Sequence, residues 1–273
     1  MTRLRADELT SCCVATYSHP LARWLLGDSL HPGGVALSAR LAGLAEIGQD
    51  SLVLDLGSGR GASAVHLAKT IGCRVVGVTL EEDGYNAARE TADRNGVGNR
   101  ATFLKGDIRQ VVLEPESFDA VLLECVLSIL PDKAAVLDRA RGFMKPGARL
   151  ALTDVTVNGP LPDELHAVLA VVGCVGDARS LIEYCSLAEG AGLHLEHSQD
   201  LPDTAASLLR DIKGKLLMAE VAAKVGKLPL DEDLLRSGKR YLALAQELVS
   251  NGTLSYGLVV ARKPGRHGFE HSP

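Results

Sequence analysis

The chain has 273 residues, 46% of them hydrophobic and 23% charged, a formal net charge of -5 and six cysteines. That length and apolar fraction supply a sizeable core, which excludes a disordered chain, a collagen and a small disulfide scaffold. The acidic balance and the lack of any Lys/Arg cluster exclude a broad nucleic-acid footprint and point to a small partner.

Met1 to Glu8 form a charged start instead of an apolar signal core, and no stretch approaches the roughly 18 uninterrupted apolar residues of a membrane span. The expectation is a cytoplasmic protein whose cysteines are reduced thiols, since a core this large needs no disulfide framework. Residues 1–50 read as an N-terminal helical cap, with helical stretches at Leu9 to Tyr17 and Pro20 to Leu26. The Gly/Pro loop from Gly27 to Gly34 reads as a mobile cover over the sheet edge.

At Leu52 the pattern changes. Short Val/Leu-rich runs at Leu52–Leu56, Arg74–Val78, Ala101–Leu104, Phe118–Leu123 and Arg149–Thr153 alternate with helix-length segments at Ala62–Ile71, Asp83–Asn95 and Lys133–Met144. Near-continuous apolar strands separated by helices predict a Rossmann-like, doubly wound α/β sheet over residues 51–263. A helical insertion, 203–250, carries amphipathic helices at Ala205–Ala223 and Asp231–Ser250 ahead of a last strand at Thr253–Ala261. Those helices either cover a pocket or form a homodimer face. Residues 264–273 have little to bury and read as a disordered tail.

The first strand runs through Asp55 into Gly57-Ser58-Gly59 and then a helix, the turn at which a ligand can approach backbone N–H groups and a helix N-terminus. No Gly-Lys-Ser/Thr follows, which disfavours a nucleoside triphosphate. Asp55 suits the ammonium of an amino-acid-bearing nucleoside better than a pyrophosphate.

These features resemble the class I S-adenosylmethionine-dependent methyltransferases. The matching residues are Leu54-Asp-Leu-Gly-Ser-Gly59, Val76-Gly-Val-Thr-Leu80, Gly106-Asp-Ile108, Phe118-Asp-Ala120 and Lys145-Pro-Gly147, five motifs in order between about residues 50 and 155. The resemblance implies S-adenosyl-L-methionine as cofactor. It implies that Asp55, Gly57, Ser58 and Gly59 hold the methionine end, that Asp107 faces the adenine amine beside Gly106, and that Ile108 flanks the ring. Glu124 joins this set at the strand end where open α/β sheets bind ligands. Thr79, followed by Leu80, stands where such folds usually carry an acid for the ribose; Glu81 or Glu82 serves instead, or the pair is simply a set of first-turn carboxylates.

Cysteine is the unusual feature. Cys12-Cys13 lie in the cap, Cys125 ends the fourth strand, and Cys174 sits in a Gly-flanked stretch after the fifth. Thiolates on three segments around one pocket suit a soft, thiophilic centre. Cys73 and Cys185 read as core or incidental residues. A zinc site is disfavoured because no C-x-x-C pair exists.

Leu9-Thr-Ser-Cys-Cys13, Cys125-Val-Leu-Ser-Ile-Leu-Pro-Asp-Lys133, Leu161-Pro-Asp-Glu164, Gly173-Cys-Val-Gly176 and Glu183-Tyr184 also resemble the arsenite methyltransferases. The resemblance implies that Cys125, Cys174 and an N-terminal cysteine, Cys13 or Cys12, hold trivalent arsenic as substrate. The chain departs from that family at Ala64, where those enzymes carry a cysteine, at Leu30-His-Pro-Gly-Gly34, which replaces an aromatic-rich segment, and in lacking a separate C-terminal metalloid module. Methyl transfer is then an in-line displacement that needs alignment and no strong base. The alternative is an organic O, N, C or S acceptor with structural cysteines; an alcohol would need a base, for which His31, His19 and Glu124 are available. Both histidines are expected as partly exposed loop residues. A third reading is a regulator that binds the cofactor or a metalloid without turnover.

Overall fold

The computed structural model describes residues 31–162, 175, 177–224 and 232–265. Cys12, Cys13, His19 and Cys174, the helical stretches expected before residue 27 and residues 266–273 of the tail lie outside the described residues.

Seven strands form one sheet: β1 (Leu52–Leu56), β2 (Arg74–Thr79), β3 (Ala101–Lys105), β4 (Phe118–Glu124), β5 (Met144–Val157), β6 (His194–Asp200) and β7 (Leu254–Arg262). Their spatial order is β3-β2-β1-β4-β5-β7-β6. The first five pair in parallel, while β7 runs antiparallel between β5 and β6. Helices α1 (Gly34–Leu44), α2 (Ala62–Thr70), α3 (Glu82–Arg94), α4 (Lys133–Phe143) and α5 (Leu181–Gly190) surround it, and α6 (Pro202–Lys224) and α7 (Glu232–Ser250) lie between β6 and β7 in the chain.

Successive strand side chains point to opposite faces. Val53 and Leu122 therefore enter one apolar core with Leu41, Leu67 and Tyr256, whereas Leu54, Val121 and Leu123 enter a second with Leu137 and Tyr184. Covering both faces makes the strands almost wholly apolar and leaves their C-terminal ends as the open rim. The expected Rossmann-like doubly wound architecture is the one observed, with a mixed sheet.

Three elements differ from the sequence reading. β6 was not expected: its residues, His-Leu-Glu-His-Ser-Gln-Asp, are mostly exposed and it pairs only with β7, so an edge position removes the apolar signal. α1 begins on Gly34, directly after Gly33 at φ 80, where the expected Gly27–Gly34 loop ends, and fills a part of the expected helical cap in which the sequence places no particular helix. The helix over 133–143 ends one residue early because Met144 is already extended and opens β5. Among the described residues, no helix is long and apolar enough to cross a membrane.

Candidate functional site

A pocket opens at the C-terminal ends of β1, β2 and β4, where the chain leaves each strand. After β1 the backbone turns at Gly57, with φ 88; a Cβ there would stand 2.5 Å from Val126 Cγ2, so only glycine fits. The Gly57 and Ser58 amides both donate to the Val78 carbonyl at 2.9 Å. They are spent on the sheet, a correction to the expectation that these amides face a ligand. What the turn presents instead is side chains.

Asp55 is 3% exposed. Burial, and then the neighbouring Glu124 charge, push its carboxyl well above the usual carboxylate range. Asp55 Oδ2, Ser58 Oγ and Glu124 Oε2 are buried with no hydrogen-bond partner. All three residues line the pocket. Buried polar atoms are normally paired, so three unmet atoms around one opening fit a ligand carrying a cationic donor.

Of the residues expected to bind cofactor, Asp55, Gly57, Ser58, Thr79, Leu80, Gly106, Asp107, Ile108 and Glu124 line the pocket, and Gly59 does not. Glu81 lines it too, whereas Glu82 is exposed and paired with Lys105, whose hydrogen bond lowers its pKa. Asp107 is not alone. Arg109 donates to both of its carboxylate oxygens, at 2.7 and 3.0 Å, and holds the carboxyl below its ordinary pKa.

His31 departs from expectation: it is 9% exposed. Its Nε2 lies 3.3 Å from Ser63 Oγ and 3.8 Å from Glu124 Oε1. Ser38 Oγ, on α1, donates to the same Glu124 oxygen at 2.9 Å and lies 3.0 Å from Ser63 Oγ. Ser63 follows the glycine turn by a few residues, which is a usable signal; Ser38 lies on a helix not expected from sequence and has none.

Cys125 directly follows β4 with φ 58, in the left-handed region, and lines the pocket. Its amide donates to Thr153 O at 2.8 Å, and the buried Tyr256 hydroxyl donates to Sγ at 3.7 Å. It is the one expected arsenic ligand among the described residues. Cys73 is buried in the first core and Cys185 packs against the second. No group of three His, Cys, Asp or Glu able to hold a metal ion occurs among the described residues.

A methyltransferase-domain family model matches residues 47–202. The chain is 29% identical over 182 residues to the arsenite methyltransferase of Halobacterium salinarum, covering 63% of this chain and 46% of that protein. It is 30% identical over 193 residues to the 27-O-demethylrifamycin SV methyltransferase of Amycolatopsis mediterranei, covering 65% and 71%. Among solved structures, Haemonchus contortus phosphoethanolamine N-methyltransferase 2 in complex with S-adenosyl-L-methionine superposes with a TM-score of 0.78 at 19% identity, over 96% of this chain and 60% of that one. The chain spans about half the length of the Halobacterium relative. With more than half of its residues under one model, the chain belongs to the methyltransferase-domain family.

Proposed function

We propose that this chain binds S-adenosyl-L-methionine and transfers its methyl group to trivalent arsenic held by cysteine thiolates. The observation that carries the reading is Cys125 on the wall of the same pocket that holds the unmet atoms of Asp55, Ser58 and Glu124. The likeness to an arsenite methyltransferase supports it. The cofactor, when bound, supplies an electrophilic methyl on a sulfonium. Asp55, Ser58 and Glu124 bind the ammonium of its methionine end beside the Gly57–Gly59 turn. Gly106, Asp107 and Ile108 receive the adenine, with Arg109 alongside, and Thr79, Leu80 and Glu81 take the ribose side. Cys125, Cys174 and Cys13 or Cys12 hold the arsenic. Its lone pair carries no proton, so alignment and exclusion of water are what the residues must provide.

Incubation with the cofactor, thiol and arsenite is expected to give methylated arsenicals, and Cys125→Ser is expected to abolish them while cofactor binding stays intact. Cofactor binding without any methylated arsenical from the wild-type protein overturns the reading.

A second reading is favoured by His31. A buried imidazole beside Glu124 and Ser63 at the pocket wall is placed to accept a proton from a hydroxyl acceptor. In that case Cys125→Ser spares activity on the true substrate and His31→Gln removes it.

A further inference from the structure

Cys125 leads into a short turn, Val126 to Leu130, with a 3-10 helix over Leu127–Ile129. Val126, Ile129 and Leu130 line the pocket with it. The backbone of that turn is fastened at three points. The Ser128 amide donates to Asp154 Oδ2 on β5 at 3.0 Å. The Leu130 carbonyl accepts from Lys133 Nζ at 2.8 Å. The Ser128 carbonyl accepts from the Asp177 amide at 3.1 Å. Lys133 then closes the ring by pairing with Asp177 Oδ2 at 2.7 Å.

The Lys133 side chain is only 4% exposed. Lysine is almost never buried to that degree, because removing an ammonium from water costs several kcal/mol unless geometry and hydrogen bonds compensate. Here a carboxylate and a carbonyl do so, and they belong to the two segments being joined. The second segment is anchored independently: Val175 is buried in the first core, and the Val157 amide donates to the Arg179 carbonyl at 3.1 Å. The pocket wall at Cys125 and the stretch from Asp177 to Arg179 are thus held in a fixed relation by the Ser128–Asp177 backbone hydrogen bond and by an ion pair whose lysine is buried and whose aspartate, half-buried, also pairs with Arg179.

We propose that Lys133 and Asp177 are positioning residues for the methyl acceptor: their ion pair straps the wall formed by Cys125, Ile129 and Leu130 to residues 177–179. Neither lines the cofactor pocket, so the strap acts through the wall. The inference rests on the reading that the acceptor lies against Cys125. Its chemical consequence is selectivity in which ligand suffers: Asp55 is held within β1, and Glu124, next to Cys125 in the chain, is fastened by Ser38 of α1, so the carboxylates that bind the cofactor's ammonium have anchors apart from the strap.

Two variants test it. Asp177→Asn keeps a hydrogen-bonding partner for Lys133 and removes the charge. The double variant Lys133→Met, Asp177→Leu removes the ion pair while replacing the buried ammonium by an apolar group, so that no charge is left buried without its partner. For each, calorimetry gives the S-adenosyl-L-methionine Kd, steady-state kinetics give KM for arsenite, and peptide mass spectrometry gives the alkylation rate of Cys125 by iodoacetamide. The expected result is a cofactor Kd within about twofold of wild type, with KM for arsenite and the Cys125 alkylation rate each raised about tenfold. Lys133→Arg, which keeps charge and partner, should recover most of the arsenite KM. An unchanged alkylation rate and KM in either folded variant overturns the strap, as does an equal loss of cofactor and acceptor affinity, which marks a general structural role. A wild-type protein that binds the cofactor yet makes no methylated arsenical overturns the acceptor reading instead, and the alkylation rates still decide the strap.

Discussion

Asp55, one residue before the end of β1, and Glu124, the last residue of the neighbouring parallel β4, are both buried, each keeps one carboxylate oxygen without a hydrogen-bond partner, and the charge of Glu124 raises the proton affinity of Asp55. Two carboxylates so placed repel each other until a cation comes between them.

That relation fixes the sign of a stability effect. A carboxyl whose folded pKa is raised binds more protons folded than unfolded, so its contribution is greatest at low pH and is lost as pH climbs from the unfolded carboxylate range toward the folded value. At neutral pH Asp55 therefore weakens the ligand-free fold. Asp55→Asn is expected to raise Tm in scanning calorimetry without ligand and to weaken S-adenosyl-L-methionine about 10–100-fold by titration, the range for a charge-assisted hydrogen bond. An asparagine variant of wild-type affinity removes Asp55 from the cofactor site.

Asp154 offers the same test with a number. Burial raises its pKa to about 6, against hydrogen bonds from the Ser128 and Val155 amides that favour the charged form. The wild-type fold is expected to lose about 2–3 kcal/mol between pH 4 and 6 through this residue. Asp154→Asn, neutral throughout, should flatten that slope in urea unfolding series at fixed pH. A slope identical to wild type refutes it.

Cys125 holds a left-handed backbone at φ 58, which costs an L-residue with a side chain about 1–2 kcal/mol. Cys125→Gly relieves that and adds chain entropy to the unfolded state, about 0.5–1 kcal/mol in the other direction. The glycine variant should therefore be no less stable than wild type, yet inactive on arsenite. A clear fall in Tm would mean that the thiol serves packing more than chemistry.

Gly57→Ala has no such relief. Its Cβ meets Val126 Cγ2 at 2.5 Å with φ at 88, so the turn that follows Cys125 must move. A loss of about 1–3 kcal/mol in stability and at least tenfold in cofactor affinity is expected, read by urea unfolding and calorimetry.

The parallel half of the sheet is legible because strands covered on both faces must be apolar at nearly every position, as in Leu52–Leu56 and Phe118–Leu123. The edge strand His194–Asp200 is not, since solvent faces most of its side chains. The glycine turn and the residues at the strand ends follow from local pattern. The engagement of Asp107 by Arg109 is local too, two residues apart, and an arginine so near an isolated aspartate could have signalled it. His31 is different: its ring meets Ser63, 32 positions later, and Glu124, contacts that no window of sequence contains. The network through Ser38 is hidden for the same reason.

β7 is the antiparallel strand between β5 and β6, and β6 has no other partner in the sheet. A ribosome emits residues 254–262 after everything they join, so a nascent chain carries β5 with one open flank and β6 with nowhere to dock until that last strand emerges. This half of the sheet cannot close before β7 is made, and the interval with an unpaired apolar flank is the stage at which the chain is most exposed to aggregation or to capture by a chaperone.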